Sequence, residues 1–224
     1  MKSSRSILIA AALLASPVAA QAGDRGFYVG FDVGQASVSS DQQALDASLV
    51  DAFDQLGLAI LNGSSDVGED SLTYGVIFGY QFLPYLAVEA SYIDAGDFEY
   101  RARGTVTDGV TSGEGHFALD AGAKGPTVSA LGILPFAQNW RVFGRVGVLF
   151  ADTDYDFKVT IDDSGATSGL SRSSQNFLWG VGFGYAVGDW TSRLEYQQVQ
   201  DVGDEKITGT ADSSRVVYSA IYRF

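Results

Sequence analysis

The sequence predicts an all-β chain, an eight-stranded antiparallel up-and-down transmembrane β-barrel. Three observations carry the prediction. Runs of alternating apolar and polar or small residues recur along the chain. Beyond residue 22 no apolar stretch approaches the roughly 20 residues that a membrane helix needs, so a spanning structure must be built from strands. The links between runs alternate between tight turns and longer polar segments, as a barrel with unequal ends requires.

The chain opens on Lys2 and Arg5 ahead of an apolar run from Ile7 to Ala20, closed by the small residues of Ala20-Gln21-Ala22. This is the pattern of a cleavable export signal over residues 1–22, leaving one barrel domain over residues 23–224. Ser16 and Pro17 interrupt the run and argue against a retained membrane anchor.

The first strand run sets Phe27, Val29, Phe31 and Val33 on one face and Tyr28, Gly30, Asp32 and Gly34 on the other. From Val38 to Thr73 there is no Lys or Arg but seven acidic residues. Within that segment Leu45, Leu49, Phe53, Leu56 and Ile60 recur at helical spacing, which predicts a short amphipathic helix in the first external loop. The second run places Leu72, Tyr74, Val76, Phe78, Tyr80 and Phe82 against Thr73, Gly75, Ile77, Gly79 and Gln81, with Ile77 the discordant member. After Leu83-Pro84 a third run follows, Leu86, Val88, Ala90 and Tyr92 opposing Ala87, Glu89, Ser91 and Ile93, so the two form a hairpin.

A fourth run, Thr127 to Leu134, leaves its phase open because Leu131 and Ile133 share one face while Val128, Ala130 and Leu134 share the other. The fifth divides Trp140, Val142, Val146, Val148 and Phe150 from Arg141, Phe143, Arg145, Gly147 and Ala151. The sixth divides Phe177, Trp179, Val181, Phe183, Tyr185 and Val187 from Gly180, Gly182, Gly184 and Ala186, a face that must meet something crowded. A seventh run carries Leu194 and Tyr196 against Arg193, Glu195 and Gln197, and the eighth alternates Val216, Tyr218, Ala220, Tyr222 and Phe224 with Val217, Ser219, Ile221 and Arg223. Tight turns at Leu83-Pro84, Ala137-Gln138-Asn139 and Gly188-Asp189 contrast with four longer polar links, which puts both termini at the tight-turn, periplasmic end.

Small residues decide which face looks outward. A soluble barrel would expose Gly30, Gly34, Gly75, Gly79, Gly180, Gly182 and Gly184 where charges are usual, whereas a narrow lumen is suited by them. Phe27, Phe82, Tyr85, Trp140, Trp190 and Phe224 near the tight turns read as one interfacial girdle. Removing the leader leaves 202 of the 224 residues, with 12 basic against 27 acidic side chains and a net charge of −15, which excludes nucleic acid as a partner class. With no cysteine there is neither a disulfide nor a thiolate metal site.

Gly26-Phe27-Tyr28-Val29-Gly30, Tyr80-Gln81-Phe82 leading to Tyr85-Leu86-Ala87-Val88-Glu89, Arg193-Leu194-Glu195-Tyr196 before Val202-Gly203-Asp204, and the terminal Tyr222-Arg223-Phe224 appear in that order. In this set the chain resembles the OmpA-like eight-stranded outer-membrane barrels over nearly all of residues 23–224. The resemblance implies the outer membrane of a Gram-negative bacterium, with lipid and lipopolysaccharide around the barrel. It also implies delivery to the barrel-assembly machinery through the terminal signal that ends in Tyr222 and Phe224. The sequence stops at the last strand, so the peptidoglycan-binding domain of OmpA and its role are not expected here.

By phase, the lumen is expected to hold Asp32, Glu89 and Glu195 with Arg141, Arg145 and Arg193, which must pair when buried. Two roles are open: a plug that replaces a hydrophobic core, which eight strands favour, or a gated ion path. Asp152, Asp154 and Asp156 on one strand face could bind a divalent cation through hard oxygen ligands, or form a solvated acidic face. His116, the single histidine, lies near Ser112 and Glu114, the residue types of barrel lipid A deacylases and proteases. No nucleotide loop, metalloprotease helix or serine-hydrolase elbow occurs, and no cofactor is implied. The expected function is a non-enzymatic integral outer-membrane protein with a structural or surface-interaction role and an external partner still to be named. A small porin-like channel is the alternative, and a lipid A-modifying or proteolytic barrel enzyme a weaker third.

Overall fold

The computed structural model describes residues 25–39, 42–68, 70–162, 164–204 and 209–224, so the expected export signal at 1–22 lies outside the described residues. Among these residues the chain forms β1 (Gly26–Ser39), α1 (Gln42–Gln55), β2 (Ala59–Gly68), β3 (Asp70–Leu83), β4 (Leu86–Thr107), β5 (Ser112–Pro135), β6 (Trp140–Ile161), β7 (Ser164–Val187), β8 (Trp190–Asp204) and β9 (Gly209–Arg223). Each strand of the ring pairs antiparallel with its neighbour, and β1 closes the barrel on β9 from Tyr28 opposite Arg223 to Ser39 opposite Asp212. Closure leaves the membrane-level wall without a free edge, as hydrocarbon demands.

Alternation sorts side chains as the sequence predicts. Phe27 is 68% exposed, Phe78 61% and Val146 55%, whereas Ile77 is 3% and Glu89 0% exposed. The apolar stripe therefore faces outward and the small and charged stripe fills the lumen. The open phase of the fourth run resolves the same way: Leu131 is buried, and Val128 and Leu134 face outward. Packing explains the lumen glycines. A Cβ on Gly79 would fall inside the Tyr28 ring, and one on Gly180 would lie 2.7 Å from a Glu195 carboxylate oxygen. At the tight-turn end Phe27 meets Tyr80 with ring centroids 4.7 Å apart, Trp140 meets Tyr185 at 4.8 Å, and Trp190 meets Tyr222 at 5.1 Å, an aromatic girdle of the expected kind.

Two expectations are corrected at the other end. The links after the third and fifth runs are not long loops: β4 and β5 join through residues 108–111, and β6 ends at Ile161 where β7 begins at Ser164. Their polar sequences continue the strands to 22 or 24 residues, about twice the 9–11 residues that cross a membrane, so a sheet stands above the barrel on one side. That sheet gains β2, paired with the upper part of β4, a strand the sequence reading does not anticipate.

The helix exists but is shorter than its periodicity suggests. Leu45, Leu49 and Phe53 lie within α1, whereas Leu56 follows it in a turn and Ile60 belongs to β2. Gly57, at φ +74°, stops the helix: its N–H donates to the Asp54 carbonyl at 2.9 Å, and the Leu58 N–H donates to the Phe53 carbonyl at 3.0 Å. This left-handed C-terminal cap favours glycine.

A bulge in β4 sets the facing of the upper sheet. Asp94 pairs with Lys124 but Asp97 pairs with Gly122, leaving two residues opposite Ala123, and Gly96 adopts φ +106° there. The parity of β4 inverts, so Tyr100 turns inward and Arg101 and Arg103 turn outward. Leu45 and Leu49 of α1 then pack on the inner face of this sheet, over a cluster of Tyr100, Leu119 and Tyr155.

Candidate functional site

The lumen concentrates the charge. Because β1, β4, β6, β8 and β9 each point every second residue inward, Asp32, Glu89, Arg145, Arg193, Glu195 and Arg215 meet at mid-barrel, all buried. Arg145 is central. Its Nη2 donates to Glu89 Oε2 at 2.6 Å, while its Nε and Nη2 donate to the two oxygens of Glu195 at 2.6 and 3.1 Å. Arg193 Nη1 donates to Glu89 Oε1 at 2.6 Å and its guanidinium lies 5.1 Å from the centre of the Phe143 ring. The Tyr28 hydroxyl donates to Glu89 Oε1 at 2.7 Å, so one carboxylate accepts from three side chains.

A second group lies beside the first. Arg215 Nη2 donates to Asp32 Oδ1 at 3.2 Å and Nη1 to Gln197 Oε1 at 3.1 Å, with Thr73 Oγ1 accepting at 3.3 Å. Three carboxylates and three guanidiniums thus cancel, the condition under which buried charge is tolerated. Arg215 takes the place in this layer that the sequence reading gave to Arg141. Arg141 is half-buried nearer the tight turns, where it lines a cavity of about 40 Å³ with Gln81, Phe143 and Arg223. The signal for Arg215 was present: it continues the phase of Val217 and Ser219 by one step.

Apolar layers bracket the charges. Toward the tight turns lie Tyr28, Ile77, Ala87, Leu131, Phe143 and Ile221, and toward the open end Ile93, Ala95, Ala123, Leu149, Ala151, Leu178 and Val199. Such a lumen can hold a barrel together from within, because breaking any buried pair strands a charge.

A family model described as the OmpA-like transmembrane domain matches residues 22–224. The chain belongs to this family. It is similar to outer membrane protein A of Yersinia pseudotuberculosis serotype I (strain IP32953), 30% identical over 171 residues, 74% of this chain and 44% of that protein. It is likewise similar to outer membrane protein A of Klebsiella pneumoniae, 28% identical over 176 residues, 75% of this chain and 45% of that protein. The chain thus spans less than half the length of the curated relatives it matches. Among solved structures, the crystal structure of Neisserial surface protein A aligns over 89% of this chain and 97% of that chain, with a TM-score of 0.49 and 15% identity. Like its relatives in the OmpA-like family, the chain is an outer-membrane β-barrel protein of the Gram-negative envelope.

On this family barrel the remaining predicted residues are dispersed. Asp152, Asp154 and Asp156 all face outward on β6 above Phe150. Successive members lie about 7 Å apart along the strand. Ser173 and Ser171 of β7 donate to Asp152 and Asp154 at 2.7 and 2.6 Å. Among the described residues no three His, Cys, Asp or Glu side chains converge closely enough to hold a metal ion. His116 is exposed on β5 opposite Arg103 and Thr160, and among the described residues no hydrogen bond joins it to Ser112 or Glu114. At the terminus the Phe224 N–H donates to the Phe27 carbonyl at 3.1 Å, and its ring meets Tyr222 at 5.3 Å.

The upper sheet holds a polar contact of its own. Tyr100 Oη donates to Asp46 Oδ1 at 2.6 Å and Ser65 Oγ to Asp46 Oδ2 at 3.0 Å, fastening α1 to β4 and β2. Burial, then the bond to Asp46, pushes the Tyr100 hydroxyl well above the ordinary phenol range. Burial also raises the Asp97 carboxyl, with the like charges of Asp94 and Glu99 adding to the shift. Beneath the helix remains a cavity of about 240 Å³ walled by Leu49, Phe53, Ile60, Val106 and Phe117.

Proposed function

We propose that the chain is a non-enzymatic, sealed barrel that contributes to outer-membrane structure and displays its tall sheet for surface contacts. The observation that carries this reading is the packing of the lumen: buried ion pairs around Arg145 fill its middle, with clusters of buried apolar side chains on either side. A conducting channel would need both clusters to part. Absence of a base hydrogen-bonded to a nucleophile at His116 among the described residues weighs against the hydrolytic alternative.

The tight-turn end, with its aromatic girdle and both strand termini, is assigned to the periplasm, and the upper sheet to the cell exterior. Lipid and lipopolysaccharide are then the surrounding partners, and Tyr222 and Phe224 form the signal read by the barrel-assembly machinery. Planar-bilayer recording of purified, heat-modifiable protein tests the sealed reading. No reproducible unitary conductance is expected; reproducible openings would replace the plug with a channel. Labelling of Thr167→Cys by an impermeant thiol reagent on intact cells tests orientation independently.

A further inference from the structure

The outer wall above the apolar belt carries two bands of opposite charge. The lower band is acidic: Asp97 and Glu99 on β4, Asp120 on β5, and Asp152, Asp154 and Asp156 on β6. Above it stand Arg101, Arg103 and Lys158 with His116 between them, a gathering of three cationic side chains unexpected in a sequence with net charge −13. The upper band is made by register. Arg103 lies opposite His116 and His116 opposite Thr160, while Arg101 lies opposite Ala118 and Ala118 opposite Lys158. With strands about 4.8 Å apart, Arg101 and Lys158 flank Ala118, whose methyl group leaves the floor between them open. The result is a groove of about 750 Å³, edged on the β2 side by Ser64 and Asp66.

The donors in this groove are unequally committed. Arg101 is held by Asp120 at 2.6 Å and Glu99 at 3.3 Å. Among the described residues Arg103 has only a neutral partner, its Nε donating to Ser64 Oγ at 3.2 Å. Lys158 is exposed and makes no ion pair among the described residues. Arg103 and Lys158 are thus available to an anion, and guanidinium and ammonium groups recognise phosphate through charge-assisted hydrogen bonds.

We propose that this groove binds the phosphorylated sugar core of an outer-leaflet glycolipid standing beside the barrel. Position selects that occupant. Arg101, Arg103, His116 and Lys158 lie on the same outward face of their strands as the lipid-facing stripe. On β6, Lys158 lies eight residues beyond Phe150, the last apolar residue of the stripe. At about 3.3 Å per residue and a strand tilt of about 40°, that is roughly 20 Å above the hydrocarbon edge, at the level of headgroup sugars. The acidic band beneath repels phosphates near the hydrocarbon, so an anionic lipid gains its favourable contacts with this wall higher up. The proposal rests on the external assignment of the upper sheet, which the cysteine labelling described above reads separately.

The test uses the purified barrel in nanodiscs, titrated with rough lipopolysaccharide carrying a phosphorylated core and with the same lipid after core dephosphorylation. Native mass spectrometry reads the binding. The phosphorylated form is expected to bind at least tenfold more tightly, and Arg103→Gln with Lys158→Gln is expected to abolish that preference. Ala118→Glu, which puts a carboxylate in the floor, should do the same through one residue, and the heat-induced gel shift verifies that each variant is folded. Equal binding of the two lipids, or an unchanged preference in the folded variants, would overturn the proposal. So would competition by inorganic phosphate or heparin at the lipid's own affinity, since that marks a site for free anions. Successful labelling with failed lipid preference sinks the groove and spares the orientation; failed labelling sinks the orientation first.

Discussion

Arg145 grips Glu195 through both carboxylate oxygens, at 2.6 and 3.1 Å, while the same guanidinium reaches Glu89 at 2.6 Å. Removing it leaves Glu89 with Arg193 and Tyr28 and takes from Glu195 the guanidinium that holds both of its oxygens. Arg145→Ala is therefore expected to lose about 3–5 kcal/mol of stability, measured by urea unfolding in lipid vesicles. Arg145→Met combined with Glu195→Leu removes one charge of each sign and should lose less than Arg145→Ala. An Arg145→Ala protein as stable as wild type would mean that water already solvates the cluster.

Gly79 and Tyr28 test the packing of the lumen. A side chain at position 79 enters the space of the Tyr28 ring. Gly79→Val should cost at least about 1–3 kcal/mol, seen as loss of the heat-shifted folded band on gels. Adding Tyr28→Ala should restore part of that band by opening the space. Full folding of Gly79→Val alone would show that the ring is free to move away.

The lipid-facing stripe makes a depth-dependent prediction. Val146 lies on β6 between Trp140 and Phe150, facing outward, and Val146→Arg should destabilise by about 2–4 kcal/mol in vesicle unfolding. Thr167→Arg, exposed on the upper sheet, should stay within about 0.5 kcal/mol of wild type. Equal effects at the two positions would contradict the placement of the membrane.

Asp108 organises the tip between β4 and β5. Its carboxylate accepts from the Thr111 N–H at 2.7 Å, the Val110 N–H at 2.8 Å and the Thr111 hydroxyl at 3.1 Å, and the backbone bonds hold it below the usual carboxylate range. A depressed carboxyl stabilises the folded tip above its unfolded value, and that contribution is lost as pH falls through the folded value. Asp108→Ala should raise amide exchange at Val110 and Thr111 severalfold at neutral pH without changing the gel shift. Unchanged exchange would show that the turn holds without the carboxylate.

How much was legible depended on the range of the interaction involved. Facing is a local property, since a strand turns successive side chains to opposite sides. Hence Asp32, Glu89, Arg145, Arg193 and Glu195 could be assigned to the lumen from alternation, and all five are buried. Arg215 obeyed the same rule but lay beyond the apolar residues that made the last run conspicuous. The polar strand extensions were hidden for a related reason. Serine, threonine and aspartate alternate without contrast, so β7 from Ser164 to Asn176 looks like loop until its pairing with β6 is seen.

The sequence by itself determined the class, the outward apolar stripe and the helix near Leu45 to Phe53, because each is written in residues two to four positions apart. Tertiary structure decided which strands are neighbours and hence which charges meet: Tyr28 and Glu89 bond across 61 positions, and Arg215 and Asp32 across 183. It also decided the facing of the upper sheet. One bulge between Asp94 and Asp97 inverts the strand, sending Tyr100 inward beneath α1 and Arg101 and Arg103 outward. A period of two propagates a facing only until a residue is inserted, and where that insertion falls is set by pairing with a partner strand.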